Sequence, residues 1–177
     1  MKALLAKHSW QQWLSLLARL ILGVVLIVAG LTKIGNLNGA ASAAAAYHIL
    51  PYDLAQVVGM ALPFAEIGLG LLLVIGLFTR LAGVLGALLM LAFIIAIASV
   101  WARGISIDCG CFGSGGPLDP AEAVAKYPWE IARDIALTAC GVWLAGWGKH
   151  LWSVDAVLFR PITVESLATA TRSTRRK

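Results

Sequence analysis

Two cysteines one glycine apart, Cys109 and Cys111 within Asp108-Cys109-Gly110-Cys111-Phe112-Gly113, are the sharpest chemical feature of the sequence. Two thiols at this spacing can close a small disulfide ring, and the glycine between them has the backbone freedom that such a ring demands. A strained, accessible disulfide exchanges more readily than a structural one, so the pair suits transfer of disulfides or electrons. The same spacing also admits a permanent small disulfide, a soft-metal site for Cu(I), Zn or Hg(II), or two thiols with no joint role. No His-rich or Met-rich set accompanies the pair to complete a metal site. Asp108, next to Cys109, disfavours the thiolate form and works against a strongly acidic nucleophile. His48 could stabilise a thiolate, or simply sit solvated at an interface. The third cysteine, Cys140, lies about nine residues into an apolar run, roughly 14 Å along a helix. It reads as an inert small hydrophobe.

Glu66 is the second feature. It stands inside an apolar segment three residues after Pro63, where an ionisable group is costly and is a functional candidate by default. It should face inward. Lys33 approaches it from another apolar segment although the two depths differ by several residues, and Arg19 is less well placed to reach. Structural pairing and proton or quinone chemistry are both open to Glu66. Pro63 would kink the helix locally. Arg133 and Asp134, at the start of a further apolar segment, read as interface anchors.

The elements that must position these groups follow from composition. The chain has 177 residues, enough for one domain, of which 60% are hydrophobic and 13% charged. The mean hydropathy of +0.85 leaves too little polar surface to clothe a water-soluble globule, so the bilayer is the natural solvent. An all-α integral membrane four-helix bundle is expected over 1–160. Its spans fall at about 13–34, 54–77, 81–101 and 131–149, each of roughly the 20 residues needed to cross a bilayer. Residues 161–177 form a basic tail expected to be disordered. A cleaved signal peptide is the alternative for the first span, but its apolar run extends to Ile34 and the span is expected to be retained.

The net charge is +5. The basic tail is a topology signal rather than a nucleic-acid arm. With both termini and the Arg80 turn on one side, that side holds Lys2, Lys7, Arg19, Arg80, Lys149, Arg160 and the four tail cations. The other side holds most of the acids, so both termini are expected in the cytoplasm, with loops 35–53 and 102–130 facing outward. Trp10, Trp13, Trp147 and Trp152 mark the inner interface, and Trp101, Trp129, Tyr47, Tyr52 and Tyr127 the outer. Trp143 has no such reading. The Ala-rich first outer loop is expected to form a short helix ending before Pro51. Asp119-Pro120 should cap a short helix in the second. Small residues at Gly23 and Gly30, Gly68 and Gly70, and Gly83 and Gly86 would let helices approach closely.

These residues resemble the MauE/DoxX family of redox-associated membrane proteins. The matching pieces are Arg19-Leu-Ile-Leu-Gly23 through Gly30-Leu-Thr-Lys33, Leu50-Pro51, Pro63-Phe-Ala-Glu66, the CGCFG string at 109–113, and Arg133-Asp134. The resemblance implies a four-helix membrane protein working with extracytoplasmic thioredoxin-like proteins. MauE-like members are associated with maturation of the disulfide-rich small subunit of methylamine dehydrogenase, and DoxX-like members with quinone-coupled sulfur oxidation and thiol stress. The helical arrangement is similar to that of vitamin K epoxide reductase-like enzymes, although this sequence lacks the CxxC which those enzymes place at a quinone site. The expected function is therefore membrane thiol–disulfide exchange or electron transfer, as an accessory protein or a quinone-linked oxidoreductase of the inner (plasma) membrane. Cys109 and Cys111 would act on a thioredoxin-like partner, with Glu66, Lys33, His48 and Asp108 in support and no resident metal. A membrane quinone near Glu66 and Lys33 is the one cofactor suggested. The alternatives are a soft-metal binding or transport protein and a non-catalytic anchor subunit of a redox complex.

Overall fold

The computed structural model describes residues 2–110 and 118–147, with side chains from Trp10 onward. Cys111, Phe112 and Gly113 of the cysteine string, and the basic tail at 161–177, lie outside the described residues. Among those described there are five α-helices: α1 (Lys2–Ile34), α2 (Leu37–Ala46), α3 (Tyr52–Ile75), α4 (Thr79–Ala102) and α5 (Pro120–Gly146). Three stretches, Trp10–Ile34, Tyr52–Ile75 and Thr79–Ala102, are long and apolar enough to cross a membrane. They coincide with the first three expected spans. α5 covers most of the fourth expected span but is not one of the three, and its first half carries Glu122, Lys126, Glu130, Arg133 and Asp134.

The outward faces explain why these helices need lipid. Leu17, Val24, Val28 and Leu31 on α1, Val57, Phe64 and Leu71 on α3, and Leu81, Leu88 and Ile95 on α4 are all exposed. Helices apolar on every side are soluble only in a bilayer or deep in a core. Inward, Leu22 and Leu26 of α1, Leu73 of α3, and Leu144 of α5 are fully buried in one cluster. A second cluster joins Ile97 and Val100 of α4 to Ile107, Cys109, Ala123 and Tyr127.

Local signals set the helix ends. Gly76 ends α3 at φ +78°, a conformation that costs glycine nothing, and its N–H donates to the carbonyls of Leu72 and Leu73. The α3–α4 hairpin therefore turns as tightly as the three-residue spacing predicts. α2 ends at Ala46, before Pro51 as expected, and His48 beyond it takes φ +50°, which does not continue a helix. Asp119 caps α5 as expected, its Oδ1 accepting from Ala121 N–H at 2.9 Å. The helix beyond it is not short, however. It runs without a break through Pro128 to Gly146.

Helix pairing is decided by small residues. α1 packs on α3, α4 on α5, and α2 lies across the N-terminal half of α3. A Cβ on Gly30 would lie 2.7 Å from the Pro63 carbonyl oxygen, and one on Gly141 would lie 2.7 Å from that of Gly83. At both places backbone touches backbone, which maximises dispersion contact where no hydrophobic effect drives association.

Trp143, which had no interfacial reading, donates from Nε1 to the Ser15 hydroxyl at 3.2 Å and stacks on Trp147. It ties α5 to the first half of α1.

Candidate functional site

Beyond α4 the chain runs through Ile105 and Ile107 to Cys109, and side chains from distant elements hold this segment in place. The Tyr127 hydroxyl accepts from Ile107 N–H at 3.0 Å and stands 2.8 Å from the Ile105 carbonyl and 3.0 Å from that of Ile107. Its single proton can serve either carbonyl. The Tyr47 hydroxyl, from the end of α2, donates to the Cys109 carbonyl at 2.7 Å. Arg103 bridges from the Ser99 carbonyl to those of Tyr47 and His48, so α4 is laced to the α2–α3 loop. Both tyrosines read as belt residues in the sequence. The structure uses their hydroxyls as clamps on the cysteine segment, a role that a ring beside an apolar loop does not advertise.

Cys109 is buried, and the turn that follows it is strongly shaped. Asp108 Oδ1 accepts from Gly110 N–H at 3.0 Å, an Asx turn, and Gly110 takes φ +69°. A residue with a Cβ would be strained there, so this glycine is fixed by conformation as the sequence argument expected. Asp108 thus shapes the turn directly.

Removing the Tyr127 hydroxyl tests the clamp. Tyr127→Phe leaves the Ile107 N–H without its partner inside a buried cluster, at a cost of about 1–3 kcal/mol. The expected outcome is a lower melting temperature in detergent together with faster alkylation of Cys109. Unchanged alkylation would show that the clamp does not hold the segment.

Glu66 is completely buried, and Lys33 Nζ donates to its Oε1 at 2.6 Å. The reach that their depths made doubtful follows from side-chain direction. Side chains on a helix lean toward its N-terminus, so the Lys33 stem runs back down α1 to the level of Glu66 on antiparallel α3. The Gly30–Pro63 contact brings the backbones close enough for the stem to span the remainder. Lys33 Nζ also stands 5.4 Å from the centroid of the Phe93 ring. Glu66 Oε2 has no hydrogen-bond partner among the described residues.

Arg133 and Asp134 are more than interface anchors. Asp134 is buried, and Arg133 Nη2 meets its Oδ1 at 2.8 Å. This second pair lies beside Val25, Leu26, Met90 and Phe93. Phe93, which meets Lys33, also lines this space beside Arg133 and Asp134, and it was not singled out from the sequence. Arg19 is buried too.

A cavity of about 320 Å³ lies between α2, α3, α4 and the cysteine turn. Lys33, Phe93, Leu62 and Leu89 line it together with Tyr47, Cys109 and Gly110. Lys33 and Cys109, two expected site residues far apart in sequence, thus share one wall system. His48 does not line it; its side chain is exposed, and it serves the site through its backbone carbonyl. Cys140 packs against the other core cluster. It lies thirteen residues along α5 from Tyr127, about 20 Å by helical rise, so it is no partner for Cys109. Among the described residues no three His, Cys, Asp or Glu side chains gather into a metal-binding group.

A family model described as methylamine utilisation protein MauE matches residues 11–147. The chain is similar to the methylamine utilization protein MauE of Paracoccus denitrificans, 32% identical over 131 residues. That match covers 72% of this chain and 66% of the relative, just under two thirds of its length. No solved structure matches.

Proposed function

Because this chain belongs to the MauE family of methylamine utilisation proteins, we propose that it is a membrane thiol–disulfide exchange protein serving that process. Cys109 and Cys111 cycle between dithiol and disulfide with an extracytoplasmic thioredoxin-like partner. The protein crosses the inner membrane four times, with α5 as the fourth span of a four-helix bundle, and both termini are cytoplasmic. The basic residues of the termini and the Arg80 turn support that orientation.

The observation that carries the reading is the turn between the cysteines. Asp108 and the left-handed Gly110 bend the chain at the one residue separating the two thiols, as a small ring requires. Tyr47 and Tyr127 hold that bend against the helices, so its geometry persists through a redox cycle.

In each exchange a thiolate of one protein attacks a disulfide sulfur of the other. The S–S bond breaks, one cysteine leaves as thiolate, and a mixed disulfide forms. The second thiol of the attacking pair then displaces the partner's sulfur. One protein ends as the disulfide and the other as the dithiol, with electrons conserved between them. Glu66 and Lys33 hold α1 to α3 beneath the exchanging turn.

The test is disulfide trapping. Single Cys109→Ser and Cys111→Ser variants are expressed in membranes, and one of them is expected to accumulate a reducible adduct with a thioredoxin-like protein. The double variant should accumulate none and should lose function. A double variant with full activity in methylamine utilisation would sink the proposal. Labelling of intact cells with a membrane-impermeant maleimide, before and after reduction, checks sidedness. Labelling of the pair only after permeabilisation would overturn the orientation.

A further inference from the structure

We propose that Cys109 is the resolving thiol of the pair, bonding only to Cys111, so that every mixed disulfide with a partner forms at Cys111. The assignment rests on the exchange reading above and adds to it which sulfur meets the partner. Cys109 is 9% exposed and belongs to a core cluster with Ile97, Val100, Ile107, Ala123 and Tyr127, drawn from α4, the segment after it and α5. The backbone around it is pinned. The Tyr47 hydroxyl donates to the Cys109 carbonyl at 2.7 Å, and the Tyr127 hydroxyl accepts from Ile107 N–H, two residues earlier, at 3.0 Å. The Asx turn of Asp108 onto Gly110 N–H holds the other side. Exchange requires the incoming sulfur to approach along the line of the bond that breaks. A folded protein cannot bring its sulfur into a cluster closed by α4, α5 and two tyrosines, and thiols buried in apolar surroundings are inert for this reason. By elimination the partner's sulfur is met by Cys111.

A fixed position is what a resolving thiol needs. It must stay beside its neighbour while the mixed disulfide exists, so that closure is intramolecular and outruns side reactions. When the chain accepts electrons, a partner thiolate attacks Cys111 Sγ. The Cys109–Cys111 bond breaks, and Cys109 leaves with the electron pair as thiolate. The partner's second thiolate then attacks the partner's own sulfur in the mixed disulfide and releases Cys111. The partner's dithiol is oxidised and the chain's disulfide reduced. The two protons that the partner's thiols lose are taken up, through solvent, by Cys109 and Cys111. In the reverse direction Cys111 attacks the partner's disulfide, and Cys109 then attacks Cys111 Sγ and displaces the partner's sulfur.

The experiment uses the full-length protein in nanodiscs, with Cys140→Ser throughout so that no third thiol competes. The probe is a single-cysteine thioredoxin activated as its mixed disulfide with 5-thio-2-nitrobenzoate. Release of the chromophore gives the rate, and a non-reducing gel shows the protein–protein adduct. The Cys109→Ser form, which keeps Cys111, is expected to form the adduct readily. The Cys111→Ser form, which keeps Cys109, should do so at least about a hundredfold more slowly, because a buried thiol reacts only through local opening. Methyl methanethiosulfonate added in SDS should modify both forms fully, showing that each retains a reactive thiol. Cys109→Ala places no hydroxyl in the apolar cluster and should match Cys109→Ser; if the two differ, the alanine form decides. An adduct that forms as fast in Cys111→Ser as in Cys109→Ala, or faster, overturns the assignment and leaves the exchange reading standing. No adduct in any form defeats the exchange reading itself, and the assignment with it.

Discussion

Glu66→Ala is expected to be the most damaging single change in the membrane-embedded part of the protein. It leaves the Lys33 ammonium, 8% exposed, without its carboxylate in an apolar interior. Breaking one side of a buried ion pair costs about 3–5 kcal/mol, because the remaining charge loses its compensation without regaining water. Bilayer surroundings offer Lys33 partial relief, since it stands at the end of α1 and its long stem can turn toward the nearby interface. The expected result is a large fall in melting temperature in detergent and a sharp loss of monodisperse protein. Lys33→Met combined with Glu66→Leu should recover most of that loss, because it removes both charges and refills the space. The comparison is therefore between the single and double variants in one thermal assay. A double variant no more stable than Glu66→Ala would mean that the pair itself, rather than the stranded charge, sustains the fold.

Gly70→Leu should have an effect of similar size by a different route. A Cβ on Gly70 would fall 2.7 Å from the Gly23 carbonyl oxygen and 2.6 Å from Ile27 Cγ1. The first is backbone and cannot yield without moving α1 away from α3. Overpacking of a tight core typically costs about 1–3 kcal/mol, and a branched side chain at a backbone contact belongs at or beyond the top of that range. Separating the two helices would also pull Lys33 from Glu66, so the variant should lose stability and, with it, the shape of the cavity. Gly68→Ala is the matched control. Its Cβ meets nothing within 4 Å, and alanine is the better helix former by about 1 kcal/mol. The melting temperature should fall steeply for Gly70→Leu and hold or rise for Gly68→Ala. Equal losses at both positions would contradict the α1–α3 packing described above.

These two glycines show where sequence reasoning stops. Gly68 and Gly70 read alike as small residues in an apolar helix, and only one faces α1. Which one is a matter of helix rotation, set by the whole surface of the partner rather than by local composition. The tyrosines make the same point from the polar side. Tyr47 and Tyr127 satisfy any aromatic-belt pattern, yet each clamps a backbone segment 20 or more residues away in sequence. A hydroxyl's partner depends on which loops the fold brings together. Phe93 was one apolar residue among many in α4 until the structure placed it beside Lys33 and Asp134.

Other features needed no tertiary information, because their causes are local or compositional. Excess apolar surface dictates membrane-length helices, and three of them stand where hydropathy places them. Glycine between two cysteines dictates a turn that other residues resist, and Gly110 adopts it. Asp119 before Pro120 dictates a helix start. Burial of Glu66 with a cation follows from the cost of a lone charge in hydrocarbon. Tertiary structure alone decided that the cation is Lys33 rather than Arg19, that α5 continues through Pro128, and that a cavity joins Lys33 to Cys109. Each of these depends on the relative rotation and depth of helices, which long-range packing determines and no short stretch of sequence encodes.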